Sequence, residues 1–565
     1  MALCRACLLV AGLAAALAAP GCRRDPRQTI ILDVFDLVDR YYVEKVDRRE
    51  LTADAFAGLI DRLKKDVQNG AQEALIKEFL QARERGEDPT PPGFFQEDKE
   101  VSPTPIPTPY DNVEVQASPT RVAIKAGGDA FARNLPADKR KLAQIILDGV
   151  DFCKTALRLT QSRDDLLHMA LDAMMYRLDP HSGFLDLGDY KNLQQETQGS
   201  FGGVGVEIGL RKGLLVVIAP LEGSPAAKAG LESQDRIVAI EHEDTLGQTL
   251  EWAVRRIRGK IGTAVLLTVK RAGRPDAFEV SLVRDKIEAV AVRSKLLPGR
   301  IGWVRLIQFN ARIEDDMDKA IQELETASGG LRALILDLRN DPGGLLDQAV
   351  AVSDRFLSSG LIVDTIGRGY LQERERFASG HGPWTKVPMV TLVNGGSASA
   401  AEIVAGALKD HERALVLGYQ TFGKGSVQSI FELPNENGLR LTTAMYYTPS
   451  GASIQEFGIT PHIRLRPPHE DVDPYYSEAR MEHHRKNQTR AQPPAPNLEI
   501  DAKALFDYAM AKRWIKKEVD EYSDYPADND MVLALATRLL VGDDLSIPAL
   551  ISRAKDIDAL LPHEK

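Results

Sequence analysis

Val387-Pro388-Met389-Val390-Thr391-Leu392-Val393-Asn394 followed by Gly395-Gly396-Ser397-Ala398-Ser399-Ala400-Ala401-Glu402 decides how this chain folds. An apolar run with β-branched residues runs into a turn of small residues. Helical spacing then takes over from Ala400 to Lys409, so the stretch reads strand, sharp turn, helix. Similar runs lie on either side, at Ile301–Phe309, Leu331–Leu338, Leu361–Ile366 and Ala414–Gly418, each separated by helical pattern. Such alternation predicts an α/β unit built from βαβ crossovers.

Three loops in this region follow strands at their carboxyl ends. In right-handed βαβ units those ends share one sheet edge, where open α/β sheets place their sites. The first loop is Asp337-Leu338-Arg339-Asn340-Asp341-Pro342-Gly343-Gly344, whose paired glycines allow unusual backbone angles and free N–H groups. The second is the Asn394–Glu402 turn, with two hydroxyls at a helix N-terminus, which favours negative charge. The third is Thr421-Phe422-Gly423-Lys424-Gly425-Ser426.

A strand–helix–parallel strand path returns Lys424 to the edge that carries Ser399. Lysine is no base at its free pKa of about 10.4, but burial disfavours its charged form. A neutral Lys424 could take the Ser399 hydroxyl proton, with backbone N–H groups of the Gly343-Gly344 turn and Ala400 receiving an oxyanion. Against this stand the readings of Ser397 and Ser399 as helix caps, Lys424 as a solvated loop residue, and a Ser-His-Asp site using His411 or His462. His181, in Asp179-Pro180-His181-Ser182, reads as a turn residue.

At 565 residues the chain holds several domains, and 44% hydrophobic with 27% charged residues excludes a disordered or polytopic membrane protein. The net charge of −10 argues against a nucleic-acid surface. Three of the four cysteines (Cys4, Cys7, Cys22, Cys153) fall within the first 22 residues. There a basic start and the apolar run Ala6–Ala19 read as a secretory signal, and no disulfide framework is expected. Helical periodicity follows from Thr29 to Leu63. Asp47–Leu63 aligns without gaps on Ser162–Leu178, as a duplicated helix or, the preferred reading, as similar amphipathic design. Glu87–Thr120 is rich in Pro and acidic residues and reads as a linker or exposed insertion. Short β-rich runs fill Phe201–Arg284, and a second Pro-bearing linker precedes a helical tail in which no chemistry is evident.

Val393–Gln428, with Asp337–Gly344, closely resembles the carboxyl-terminal processing (tail-specific) serine peptidases. The likeness extends to Leu178–Ser182, Gly202–Glu207, Ser224–Leu231 and Tyr446–Gly451. Ala401 stands where that family has a third Ser of its S-A-S-A-S-E turn, and Ala452 where Arg is common. The resemblance implies Ser399 as nucleophile, Lys424 as base, Gln428 orienting the lysine, and Glu402 and Asp410 in support. It also implies an oxyanion hole from one of Gly343 and Gly344 together with Ala400. The β-rich region resembles a PDZ domain whose loop Gly202-Gly203-Val204-Gly205 would capture a peptide carboxylate.

The expected fold is multi-domain α/β. Its parts are a signal peptide (1–21), a helical N-terminal region (22–195) with a Pro-rich insertion (about 87–120), a PDZ domain (196–286), a peptidase core (287–466), a linker (467–497) and a helical tail (498–565). Ala18-Ala19-Pro20-Gly21-Cys22 resembles a lipobox, which implies an exported, extracytoplasmic or periplasmic protein tethered to the membrane through Cys22. The expected partners are proteins or peptides with free C-terminal tails and an adaptor or activator protein, with no nucleic acid. No metal or cofactor is expected. A catalytically silent PDZ adaptor is the alternative function.

Overall fold

The computed structural model describes residues 25–84, 108–211, 214–221, 223–274, 276–368, 374–466, 477–486, 495–515 and 530–561. The expected signal peptide (1–21) and Cys22 lie outside them. No helix among the described residues is long and apolar enough to cross a membrane.

The N-terminal region begins with helices α1 (Pro26–Tyr41) and α2 (Arg48–Glu84). Asp25 caps α1 by accepting from Arg27 N, and proline sits at the first helical position, where no N–H is needed. Strands β1 (Glu114–Ser118), β2 (Arg121–Ala126) and β3 (Asp129–Asn134) form an antiparallel sheet. The insertion read as linker therefore ends earlier than Thr120: its last residues form β1, an edge strand, where one face can stay in water. Helices α3 (Lys139–Ala156) and α4 (Arg163–Tyr176) follow, α4 opening with a Ser162/Asp165 capping box. The two similar stretches, α2 and α4, pack on each other where Gly58 meets Ala173.

After β4 (Gly183–Leu185) and α5 (Leu187–Gln198), β5 (Ser200–Gly203) leads into the β-rich unit. Its elements are β6 (Val206–Arg211), β7 (Leu214–Pro220), α6 (Pro225–Lys228), β8 (Arg236–Ile240), β9 (Glu243–Asp244), α7 (Leu250–Ile257), β10 (Ala264–Lys270) and β11 (Phe278–Val283). The strand order β11-β10-β8-β7-β6 leaves β6 at an edge, with α7 beside it. β12 (Asp285–Glu288) pairs with β5 and closes the unit.

The core sheet contains β13 (Val292–Leu297), β14 (Ile301–Leu306) and, beyond α8 (Ile313–Ser328), β15 (Ala333–Asp337). α9 (Leu346–Asp354) leads to β16 (Leu361–Gly367) and β17 (Arg374–Phe377). β18 (Met389–Val393), α10 (Ala400–Asp410), β19 (Leu415–Gly418), β20 (Ser426–Glu432), β21 (Gly438–Tyr447) and β22 (Ile463–Arg466) complete the core. The chain ends with β23 (Leu498–Asp501), α11 (Ala502–Ala511), α12 (Met531–Leu539) and α13 (Ile547–Asp558).

The main sheet runs β13-β14-β15-β18-β19-β22-β23, parallel from β14 onward. β16 leaves it for a second, antiparallel sheet, β17-β16-β21-β20, to which β4 adds. Alternate residues of the parallel strands enter two cores: Leu334 and Leu336 pack with α8, α9 and α10, while Ala333 and Ile335 pack with α11, α12 and α13. Burial on both faces explains the continuous apolar runs.

The C-terminal segment is thus no helical appendage. It starts with a strand that extends the core sheet, and its helices cover that sheet's second face. The linker 467–497 likewise contains a packed piece, since Glu478 is buried and bonded to the core.

Candidate active site

The turn between β18 and α10 is built by side chains that replace missing backbone partners. Ser397 Oγ donates to Leu338 O (2.7 Å) and accepts from Asn394 N (3.0 Å), stitching this turn to the Asp337–Gly344 loop. Fully buried and saturated in this way, Ser397 is a structural hydroxyl. Ser399 follows at φ 54° and ψ −114°, a conformation unfavourable to any residue with a side chain. Its own N–H donates to Glu402 Oε2 (2.9 Å), which holds the strained turn. A strand-to-helix turn of this kind lifts a hydroxyl out of the backbone at the helix start. The Ala400 N–H belongs to the first helical turn and has no intrahelical acceptor.

The Asp337–Gly344 loop packs against it. Asn340 and Asn394 bond reciprocally, and Asp341 O accepts from Ala398 N (2.9 Å). Gly343 has φ +94°, and a Cβ there would come within 2.8 Å of Ser399 Cβ and 2.9 Å of Ala400 N. Only glycine lets the loop approach so closely. The Gly343 N–H, however, is committed to Asp341 Oδ1 (2.8 Å), so it is not the free donor that the sequence suggested. Gly344, with φ +146°, flanks it against Phe309. Asp341 is buried, which pushes its carboxyl well up against the pull of the Gly343 N–H and Arg305.

Glu402 joins the Ser399 turn to the lysine loop. Its Oε2 accepts from both Ser399 N and Lys424 N, each at 2.9 Å, so those two nitrogens are at most twice that distance apart. Its Oε1 accepts from Thr421 Oγ1 (2.5 Å) and Gly423 N (2.7 Å). Full burial pushes Glu402 up to about 7 despite these four bonds. The glycines beside Lys424 fit under neighbouring backbone: a Cβ on Gly423 would meet Glu456, and one on Gly425 would meet Gln455. Enclosure, helped by Arg440, lowers Lys424 to about 8, while Glu478, Asp179 and Glu402 pull the other way.

That enclosure has distant sources. Asp179 accepts from Ser182 N and Oγ and from Thr442 Oγ1. His181 Nε2 lies 2.8 Å from Glu478 Oε2, Glu478 Oε1 accepts from Gln455 Nε2, and Gln455 Oε1 accepts from Gly425 N. The His181 turn therefore adjoins the lysine loop instead of standing apart as a turn alone. Tyr446, on β21, is buried; burial pushes its hydroxyl up to about 12, with Ser399 pulling the other way.

Gln428 Nε2 donates to Ser426 Oγ (2.9 Å) and Thr442 Oγ1 (3.4 Å); it bonds no lysine atom among the described residues. Asp410 sits at the far end of α10, about 15 Å along the helix from Ser399, where it accepts from Ser450 N. It is not brought to the site. His411 shares that far end, with Nε2 2.6 Å from Leu361 O. His462 directly precedes β22, at the opposite sheet edge, and accepts from Val416 N. Burial, with Lys409 nearby, lowers it to about 4. Neither histidine can reach Ser399.

In the β-rich unit, Gly202 and Gly203 are strand residues paired with β12, and Gly202 O accepts from Gly259 N. The predicted carboxylate loop thus shrinks to Val204-Gly205, just before edge strand β6. Sequence reasoning missed Tyr446, Asp179 and Glu478. The last two approach the lysine only through long-range packing, and the one local signal was the Asp-Pro-His-Ser turn.

Residues 300–465 match the family model of peptidase family S41, and residues 216–271 that of the PDZ domain. The chain is 45% identical over 306 residues to a carboxy-terminal-processing protease of Bartonella bacilliformis, covering 54% of this chain and 70% of that protein. It is 38% identical over 309 residues to a carboxyl-terminal-processing protease of Picosynechococcus, covering 54% and 74%. Among solved structures, the photosystem II D1 C-terminal processing protease shares 30% identity, covering 56% of this chain and 91% of its own, with a TM-score of 0.34.

Proposed function

The chain belongs to the carboxy-terminal-processing serine proteases of peptidase family S41 and carries a PDZ domain, and on that premise we propose that it cuts proteins near their C-termini with a Ser399–Lys424 dyad. The observation that carries this reading is the shared Glu402 oxygen, which holds the strained serine and the buried lysine in one fixed frame.

Neutral Lys424 removes the Ser399 proton as Oγ attacks the scissile carbonyl carbon. The C=O π pair moves onto the carbonyl oxygen, whose negative charge would be met by the Ala400 N–H and the Gly344 N–H, since the Gly343 N–H is engaged. The resulting ammonium returns the proton to the leaving amine, giving an acyl-enzyme and a free C-terminal fragment. Water, deprotonated by the same lysine, then releases the new C-terminus. The Gln428 amide oxygen, turned from its two hydroxyl acceptors, is the group that would steer the amine.

The PDZ domain supplies the address. The open edge of β6, flanked by α7, accepts an extended tail as an added strand, and Val204-Gly205 lies where its carboxylate would end. The apolar N-terminal run and the Cys22 motif support a reading in which the enzyme is held outside the cytoplasm on a membrane; a palmitate label should then be lost from Cys22→Ser.

Cleavage of a peptide with an apolar, free C-terminal tail tests the reading. Ser399→Ala and Lys424→Ala should each abolish turnover, Ser397→Ala should cut, and amidating the tail should raise KM. Full turnover by either dyad variant overturns the dyad. Tail binding without turnover by the wild type would favour the adaptor.

A further inference from the structure

We propose that Asp530, from the C-terminal segment outside the S41 match, is a positioning residue for the oxyanion loop and acts through Arg339. Arg339 lies in the Asp337–Gly344 loop, four residues before Gly343, and is held from two sides. Nε and Nη2 donate to Asp337 Oδ1 (2.8 Å) and Oδ2 (2.6 Å); Nη1 and Nη2 donate to Asp530 Oδ1 (3.0 Å) and Oδ2 (2.7 Å). Two bidentate carboxylates fix the plane of a guanidinium, which a single ion pair would leave free to swing.

Each carboxylate is anchored in turn. Asp337 is completely buried and also accepts from Trp303 Nε1 and Arg339 N. Asp530 caps α12 by accepting from Leu533 N (2.9 Å), so its position is tied to a helix packed on the second face of the core sheet. The clamp fixes the start of the loop whose far end, Gly343, lies so close that a Cβ there would come within 2.8 Å of Ser399 Cβ and 2.9 Å of Ala400 N. A swing at Arg339 therefore displaces the Gly344 N–H relative to the nucleophile. The C-terminal segment becomes part of the catalytic apparatus, although it contributes no atom that touches substrate.

The inference rests on the peptidase reading above, and its test is separable: Ser399→Ala reports on the chemistry, Asp530 variants on the clamp. Asp530→Asn keeps the helix cap and the side-chain shape but loses the charge and one acceptor oxygen. With full-length protein and the apolar-tailed peptide, kcat should fall about tenfold for Asp530→Asn and up to about a hundredfold for Asp530→Ala. KM should stay within about twofold, and the pH midpoint of kcat should not move. In an Arg339→Met background, Asp530→Asn should cause no further loss. If Asp530→Ala does not fold, Asp530→Asn carries the test. A folded Asp530→Asn enzyme with wild-type kcat, or one changed only in KM or only in thermal midpoint, overturns the proposal.

Discussion

Replacing Glu402 by Gln probes the frame that holds serine and lysine together. The carboxylate takes four donors, two per oxygen. A glutamine has one oxygen, so two of the four donors would face an NH2 group instead. Each buried donor left without an acceptor costs about 1–3 kcal/mol, for a total of about 2–6 kcal/mol. Against a stability of roughly 5–15 kcal/mol, the variant should fold but be visibly weakened. Trp303 and Trp384 lie in the two cores on either side of the sheet, so intrinsic fluorescence in urea reports the loss as a lower midpoint at unchanged slope. Whichever oxygen is lost, the Ser399 turn or the lysine loop relaxes, and the rate of labelling by a serine-directed fluorophosphonate should fall up to about a hundredfold. A Gln variant with the wild-type urea midpoint and labelling rate would refute the bridge as the element that organises the site.

Lys424 sets the pH dependence. With its pKa lowered from 10.5 to about 8, kcat should rise with pH around a midpoint of about 8, measured by steady-state cleavage. Between about 8 and 10.5 the unfolded chain binds more protons at this lysine than the folded one, so stability rises with pH there. Below that window the buried charge costs roughly 3 kcal/mol, and Lys424→Met should be inactive yet more stable by up to that amount near neutral pH; equal or lower stability contradicts a lysine disfavoured by burial. Gly343→Ala would thrust a Cβ at Ser399 and Ala400 from a backbone with φ +94°. It should keep a native circular dichroism spectrum and lose fluorophosphonate labelling, and an active Gly343→Ala enzyme would remove the close approach from the argument.

Much of this was legible from residues alone, for a physical reason. Strands buried on both faces must be apolar throughout, so the runs at Ile301, Leu331, Val387 and Ala414 stood out. Because β15, β18 and β19 are adjacent and parallel, their following loops had to meet. The run Leu361–Ile366 looked the same and yet joins another sheet as β16, since an apolar run records burial and not which strand lies beside it. The site's polar supports were less readable. Glu402 could be marked as supportive, but that one oxygen serves both loops depends on their three-dimensional meeting. Gly343 offered its N–H in principle, and only the fold reveals that Asp341 takes it. The tail's apolar spacing announced helices without saying that they roof the core sheet.

The enclosure of Lys424 draws on chain segments almost 300 positions apart, as the His181–Glu478 contact spans 297. Contacts of such separation close late in folding, because a long loop must be ordered before they give any return. Until the N-terminal helices and the Glu478 segment have both docked, the amine remains in water with its ordinary affinity for protons. On the Ser399–Lys424 reading, the newly made chain therefore carries its nucleophile before it carries a working base. Proteolytic competence becomes a property of the finished tertiary structure, and an incompletely folded copy is chemically latent toward its neighbours.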